Sequence, residues 1–336
     1  MLENRSAQLE QLRIPTITFP WAGECAPDVE PLEQEARQWA ARHGLIPSEQ
    51  YLARITRTKY GWLAARCYPH ADRELLQIIA DYFTWFFITD DLFVDRVETI
   101  SRETLPNLTA MLDVLDHNRL GASPVFGETA WLEICQRLRH RLSGEHFERF
   151  AHGMRMWAST AGLQIVSHLV EEPSSAIRPY EAIRRYTSGM NPCIDLIDTA
   201  NAGPLPADEF HRPEVLGLRL HTNNVVCWSN DMQSLPMEAR QPGQYRNMVI
   251  LHAAQGHTLQ EGIDYTFEKV RAEIDAFQQE ASQVEPHASK RLRGFITGMR
   301  EWMRGYQDWV DLDTQRYSQQ FLEQDANDSG VLHASG

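Results

Sequence analysis

Asn230, Ser234 and Glu238 stand four residues apart in the run Asn230-Asp231-Met-Gln-Ser234-Leu-Pro-Met-Glu238, placing an amide, a hydroxyl and a carboxylate at one repeating interval. Four residues advance an α-helix by slightly more than one turn, so these side chains form a ladder along one stripe. Such an oxygen ladder suits a hard cation. Magnesium takes oxygen ligands in octahedral geometry and keeps positions open for water and phosphate, so a three-oxygen comb implies a phosphate-bearing partner that completes the shell. Taken alone, the same spacing also describes a solvated polar helix face.

A second acidic cluster ends the segment Asp81-Tyr-Phe-Thr-Trp-Phe-Phe-Ile-Thr-Asp90-Asp91-Leu-Phe-Val-Asp95. Carboxylates at i and i+4, as Asp91 and Asp95 are, cost a helix a few tenths of a kcal/mol, and a neighbouring Phe/Trp wall removes part of their solvation. A bound cation removes both penalties. The alternative is a helix ending at the surface, but acidic residues belong at helix N-termini rather than C-termini.

The elements that must carry these residues are helical. Apolar residues recur at three- and four-residue spacings, as in Leu75, Leu76, Ile79, Phe83, Phe86 and Phe87, or Met154, Trp157, Leu163 and Val166. Breakers at Leu45-Ile46-Pro47, Gly121-Ala-Ser-Pro124, Glu171-Glu-Pro173, Gly203-Pro204 and Gln241-Pro-Gly243 divide the chain into about ten segments. Strand alternation, Gly-rich phosphate loops and fixed repeats are missing, so the expected fold is all-α, a helical bundle in one domain spanning 1–336. Pro15, Pro20 and Pro27 make residues 1–30 an extended N-terminal strap, with helix starting near Pro31. Residues from about 320 to 336 read as a disordered polar tail.

At 336 residues and 43% hydrophobic content, the chain can bury a large core. Its 46 Asp plus Glu outnumber 32 Lys plus Arg, a formal charge of -14 that argues against nucleic-acid binding and anionic membranes. Five cysteines without metal-binding or disulfide spacing point to a reducing, cytoplasmic setting. No basic-plus-apolar leader and no run of some 18 apolar residues is present, so a soluble, unexported protein without membrane insertion is expected.

Two oxygen-rich combs on different helices can face each other across a bundle cavity. At this point the pattern resembles a known family. Asp90-Asp91-Leu-Phe-Val-Asp95 resembles the aspartate-rich motif of bacterial-type class I terpene cyclases, and Asn230, Ser234 and Glu238 resemble their Asn/Ser/Glu motif. Tyr180-Glu-Ala-Ile-Arg184-Arg185-Tyr-Thr187-Ser188-Gly189 looks like the pyrophosphate-sensing segment, and Trp309 followed by Arg316-Tyr317 looks like the C-terminal Arg-Tyr pair. The four motifs occur in the family's order and together span residues 81–317.

The resemblance implies magnesium-dependent ionisation of a linear prenyl diphosphate, then cyclisation to a terpene hydrocarbon or alcohol. It implies three Mg²⁺ ions, with Asp90 bridging two and Asn230, Ser234 and Glu238 holding the third. Asp91 would meet an arginine in the closed state, and Asp95 is the remaining metal candidate. Arg184 matches the diphosphate sensor, Thr187 and Ser188 the linker and effector positions at a helix break near Gly189 and Pro192, and Arg316 and Tyr317 the closing donors. Phe83, Phe86, Phe87 and Trp309 match pocket aromatics that face the carbocation, each such ring contributing about 0.5–2 kcal/mol. Trp85, Trp157 and Trp228 read as ordinary core.

Three departures bear on this reading. The acidic motif carries one extra residue before Asp95, Pro236 removes a helical hydrogen bond and would kink the comb, and Met237 stands where relatives often have a basic residue, so one diphosphate contact is either missing or supplied by Arg240. A single α-domain most resembles sesquiterpene cyclases using farnesyl diphosphate, with a diterpene synthase using geranylgeranyl diphosphate second. A chain-elongating prenyl transferase would carry two Asp-rich motifs. The reading from another class is a non-catalytic helical prenyl-lipid binder. A homodimer is compatible with all of these.

Overall fold

The computed structural model describes residues 11–94, 100–169, 176–238, 247–318 and Phe321. Asp95, Arg240 and the expected C-terminal tail beyond Phe321 lie outside them. Among the described residues the regular elements are helices, with no strand. They are α1 (Val29–Arg42), α2 (Glu49–Thr58), α3 (Tyr60–Cys67), α4 (Arg73–Phe93), α5 (Thr104–His117), α6 (Glu128–Arg141), α7 (Gly144–Leu169) and α8 (Ile177–Thr187). After these come α9 (Met190–Asp195), α10 (Ile197–Ala200), α11 (Ala207–Phe210), α12 (Pro213–Glu238), α13 (Met248–Ala253), α14 (Leu259–Val284) and α15 (Lys290–Asp308), then a π-helical turn at Trp309–Asp313. Sequence periodicity implied about ten segments. The four helices α9, α10, α11 and α13 are six residues or shorter, too brief to show a 3.6-residue repeat, and account for most of the difference.

Local sequence sets where the site-bearing helices begin. Asp72 caps α4 by accepting from the Leu75 N–H at 3.0 Å, Ser289 does the same for α15 through Leu292, and Thr258 with Glu261 forms a capping box on α14. Among the described residues the first helix starts at Val29 rather than Pro31, and residues 11–28 of the expected strap run without helix across the bundle surface, residues 1–10 of it lying outside the described residues. They are stitched there by the Trp21 indole to the Arg300 carbonyl (2.9 Å) and by the Ala26 N–H to the Ala65 carbonyl (3.0 Å).

The core is one contiguous cluster drawn from nearly every helix. Helix α4 is apolar on all sides, and fourteen of its residues are buried against α1, α3 and α6. On the far side, α12 packs along α14 and crosses α15 and α9. Helices α8 and α9, end to end, pack on α7 and α12 and close a third wall. No described helix is long and apolar enough to cross a membrane.

Candidate active site

Helices α4, α8, α9, α12 and α15 enclose a cavity of about 820 Å³, counted with its mouth. Its floor is apolar, with Phe83 and Phe86 from α4, Met190 from α9, Val226 from α12 and Trp302 from α15. Its mouth is polar: Asp90 from α4 and Asn230, Ser234 and Glu238 from α12 line the same space as Arg184, Arg316 and Tyr317. An apolar chamber under a few converging polar groups is the usual form of a small-molecule site.

The ladder on α12 is continuous. The helix runs through Pro236 to Glu238, and the Ser234 hydroxyl donates to Glu238 Oε1 at 2.6 Å, so the proline does not separate the last two members. Asn230 Oδ1 accepts from Arg184 Nη2 at 2.7 Å. Arginine has only donors, so this contact fixes the amide: the oxygen faces Arg184 and Nδ2 donates to the hydroxyls of Tyr317 (2.9 Å) and Tyr306 (3.3 Å). Burial raises both phenols, so each keeps its own O–H to donate. The donor set of amide, hydroxyl and carboxylate oxygens, with Asp90 lining the same cavity, fits a hard divalent cation.

Arg184 is anchored from behind. Its Nε and Nη2 lie 3.1 and 3.0 Å from Asp231 Oδ1, while Tyr180 and the Met248 N–H (2.9 Å) donate to Oδ2 of the same carboxylate. Burial alone would disfavour the Arg184 cation, but Asp231 reverses that and holds its pKa well above the ordinary value. Asp231 was invisible as a functional residue in the sequence, and its position beside Asn230 in the motif was the only available signal. Arg185, next to Arg184, lines a different cavity between α7 and α12.

The second arginine follows the π-helical turn. Arg316 is 4% exposed and grips Asp91 with both ends of its fork, at 2.6 and 3.0 Å, while Nη1 also meets the Tyr60 hydroxyl at 3.0 Å. Arg54 approaches the same carboxylate at 3.3 Å. Asp91 therefore faces arginines, while its neighbour Asp90 lines the cavity. The Gln315 N–H donates to the Arg57 carbonyl at 3.0 Å, which tethers the segment carrying Arg316 and Tyr317 across the mouth.

Phe87 lines the cavity near this lid, stacked on Tyr60 at 4.5 Å with the Arg316 guanidinium 5.3 Å from its centroid. Trp309 does not line it. Its indole N–H is taken by the Thr58 and Lys59 carbonyls at 3.1 and 2.8 Å, and it is fully buried between Phe87 and Tyr317, so it supports the wall from behind. The lining residues that sequence spacing did not single out include Tyr82, Cys193, Cys227 and Tyr306, which come from four different helices.

The helix break falls where Gly189 and Pro192 placed it. Helix α8 ends at Thr187, Ser188 caps it, and Gly189 adopts φ +70° before α9 begins. The Ser188 hydroxyl donates to the Arg185 carbonyl (3.4 Å) and accepts from the Met190 N–H (3.2 Å), while Asn223 donates to the Arg185 carbonyl at 2.8 Å. A Cβ at position 189 would run into the Phe86 ring as well as strain the backbone. Gly189→Ala is therefore expected to lower the thermal midpoint by the equivalent of about 1–3 kcal/mol and to cut turnover, checked by thermal denaturation and steady-state assay.

An oxygen-donor comb and two arginines over an aromatic chamber, in an all-α bundle, form a site whose chemistry suits an anionic group attached to a hydrocarbon. Residues 81–276 match the family described as terpene synthase family 2, C-terminal metal binding. The chain is 59% identical over 318 residues (95% of this chain, 99% of the relative) to a Kitasatospora setae protein named (+)-corvol ether B synthase/(+)-corvol ether A synthase ((2E,6E)-farnesyl diphosphate cyclizing). It is 53% identical over 321 residues (96% of this chain, 94% of the relative) to a sesquiterpene synthase of Metarhizium brunneum. Its fold superposes on that of a linalool/nerolidol synthase from Streptomyces clavuligerus, solved with 2-fluorogeranyl diphosphate, with a TM-score of 0.77 at 19% identity over 90% of this chain and 100% of that one. The chain belongs to the terpene synthase family. It is a terpene cyclase, a metal-using lyase of the class I isoprenoid synthase fold.

Proposed function

We propose that this cyclase ionises farnesyl diphosphate with Mg²⁺ and closes the resulting cation to a cyclic sesquiterpene hydrocarbon or alcohol, releasing diphosphate. The observation that carries this reading is that Asp90, Asn230, Ser234, Glu238, Arg184 and Arg316 share one cavity with the Phe83/Phe86 floor. The full-length similarity to a relative named as farnesyl diphosphate cyclizing supports the C15 substrate.

Asp90 on one side and Asn230, Ser234 and Glu238 on the other would hold the ions, three in number by family resemblance. Bound divalent metal neutralises the diphosphate and stabilises it as a leaving group. Arg184 rests on Asn230 Oδ1, the atom assigned as a ligand. When that oxygen is engaged elsewhere, one Nη2 N–H can donate to the diphosphate while Asp231 holds the guanidinium through Nε and Nη2. Arg316 and Tyr317 donate from the lid, and closing the mouth keeps water from the cation. Phe83, Phe86 and Phe87 line the chamber, where aromatic rings stabilise a cation.

Incubation with geranyl, farnesyl and geranylgeranyl diphosphate, followed by gas chromatography with mass spectrometry, tests this. Cyclic C15 product and diphosphate release from farnesyl diphosphate, both abolished by EDTA, are expected. A cyclic C20 product from geranylgeranyl diphosphate, with none from farnesyl diphosphate, would establish the diterpene alternative.

A further inference from the structure

Asn247 lies beyond the segment that follows α12 and caps α13, where its Oδ1 accepts from the Val249 N–H at 2.9 Å. Only the amide oxygen can accept, so Nδ2 must face α12. There it donates to Glu238 Oε2 at 2.9 Å and to the Asp231 carbonyl at 2.7 Å. Asn247 is fully buried, so water does not compete for any of these bonds.

The need for such a partner follows from where Glu238 sits. It lies two residues after Pro236, in the last turn described for α12, where the proline leaves a backbone N–H missing. A glutamate there carries up to about 2 kcal/mol of rotamer freedom, whereas a metal ligand must be held to within about 0.5 Å. Ser234 donates to one carboxylate oxygen and Asn247 to the other, which fixes the plane of the group. At the opposite end of the comb, the Tyr306 hydroxyl, 5% exposed, accepts from Asn230 Nδ2 and helps keep the amide oxygen turned towards Arg184.

We infer that Asn247 and Tyr306 are positioning residues for metal binding: Asn247 aims the Glu238 carboxylate and Tyr306 aims the Asn230 amide. The inference rests on the assignment of Asn230 and Glu238 as ligands. Partners that orient ligands in this way typically govern 10–100-fold of metal affinity.

The test uses Asn247→Ser, which retains an N-cap hydroxyl but is too short to reach Glu238, and Tyr306→Phe, which deletes one hydroxyl. Binding of Mn²⁺ in the presence of inorganic diphosphate is followed by electron paramagnetic resonance, with Glu238→Gln as reference. Both variants are expected to weaken Mn²⁺ binding by about 10–100-fold, with a matching rise in the Mg²⁺ concentration for half-maximal turnover. A lower thermal midpoint with unchanged Mn²⁺ affinity in Asn247→Ser would make Asn247 a helix cap only and overturn its role. Should that variant not fold, Tyr306→Phe carries the test, and unchanged Mn²⁺ affinity there overturns the inference. If Glu238→Gln itself binds Mn²⁺ as tightly as the parent, the ligand assignment fails first and the inference with it.

Discussion

Asn230→Ala is expected to lower turnover by at least about 10²–10³-fold while leaving the helical circular dichroism unchanged. Two losses combine at this one side chain. The cavity loses an oxygen from the donor comb, and Arg184 loses the acceptor that its Nη2 meets at 2.7 Å. The fold is insulated from the change, because Asn230 is only half-buried and Arg184 remains anchored on Asp231. Asn230→Asp separates the two contributions. It keeps an oxygen for the metal and for Arg184 but loses the donor to Tyr306 and Tyr317, so it should fall between the parent and Asn230→Ala. Steady-state release of diphosphate, with the Mg²⁺ dependence measured for each variant, gives the comparison. Turnover above a tenth of the parent in Asn230→Ala would remove this residue from the ligand set.

The second large effect belongs to Arg316. Its fork is buried on Asp91, with Tyr60 as an additional acceptor, and Asp91 keeps the pKa of the guanidinium well above its ordinary value despite the burial. Removing one partner of a buried ion pair leaves the other charge under-compensated, at a cost of about 3–5 kcal/mol. Arg316→Ala should therefore lower the thermal midpoint and, on the role proposed for it as a diphosphate donor, also nearly abolish turnover. The double variant Arg316→Ala/Asp91→Asn also removes the carboxylate that only Arg54 would then face at 3.3 Å, and its stability loss should be smaller than the sum of the single losses. Its turnover should stay low. Arg316→Lys keeps the charge without the bidentate geometry and should recover stability better than activity. Strict additivity in the thermal cycle would show that the two residues do not act as a pair.

The legible part of this protein followed from short-range rules. The break at Ser188 was readable because a glycine at positive φ and a proline three residues later leave the helix few alternatives. The oxygen comb was readable because all its members sit on one helix, where spacing is geometry. Pro236 is the instructive case, because a helix break there would have split the comb, yet α12 continues to Glu238. One missing N–H is a local penalty, and the Ser234 to Glu238 bond together with packing of α12 on α14 and α15 keeps the helix running. Trp309 shows the opposite limit: sequence order placed it near the Arg-Tyr pair, but which way an indole turns depends on carbonyls 250 residues earlier in the chain.

The sequence by itself determined the all-α class, the positions of both oxygen-rich motifs and the residue types available for metal and diphosphate, because helix periodicity, breakers and ligand chemistry are local properties. Only the tertiary structure decided which of two adjacent groups does what. Asp90 faces the cavity while Asp91 faces Arg316 and Arg54, and Arg184 faces Asn230 while Arg185 lines another cavity. Neighbouring residues on a helix point about 100° apart. Which of the two directions meets the chamber is set by how α4 and α8 pack against the rest of the bundle, and that depends on contacts far apart in the chain.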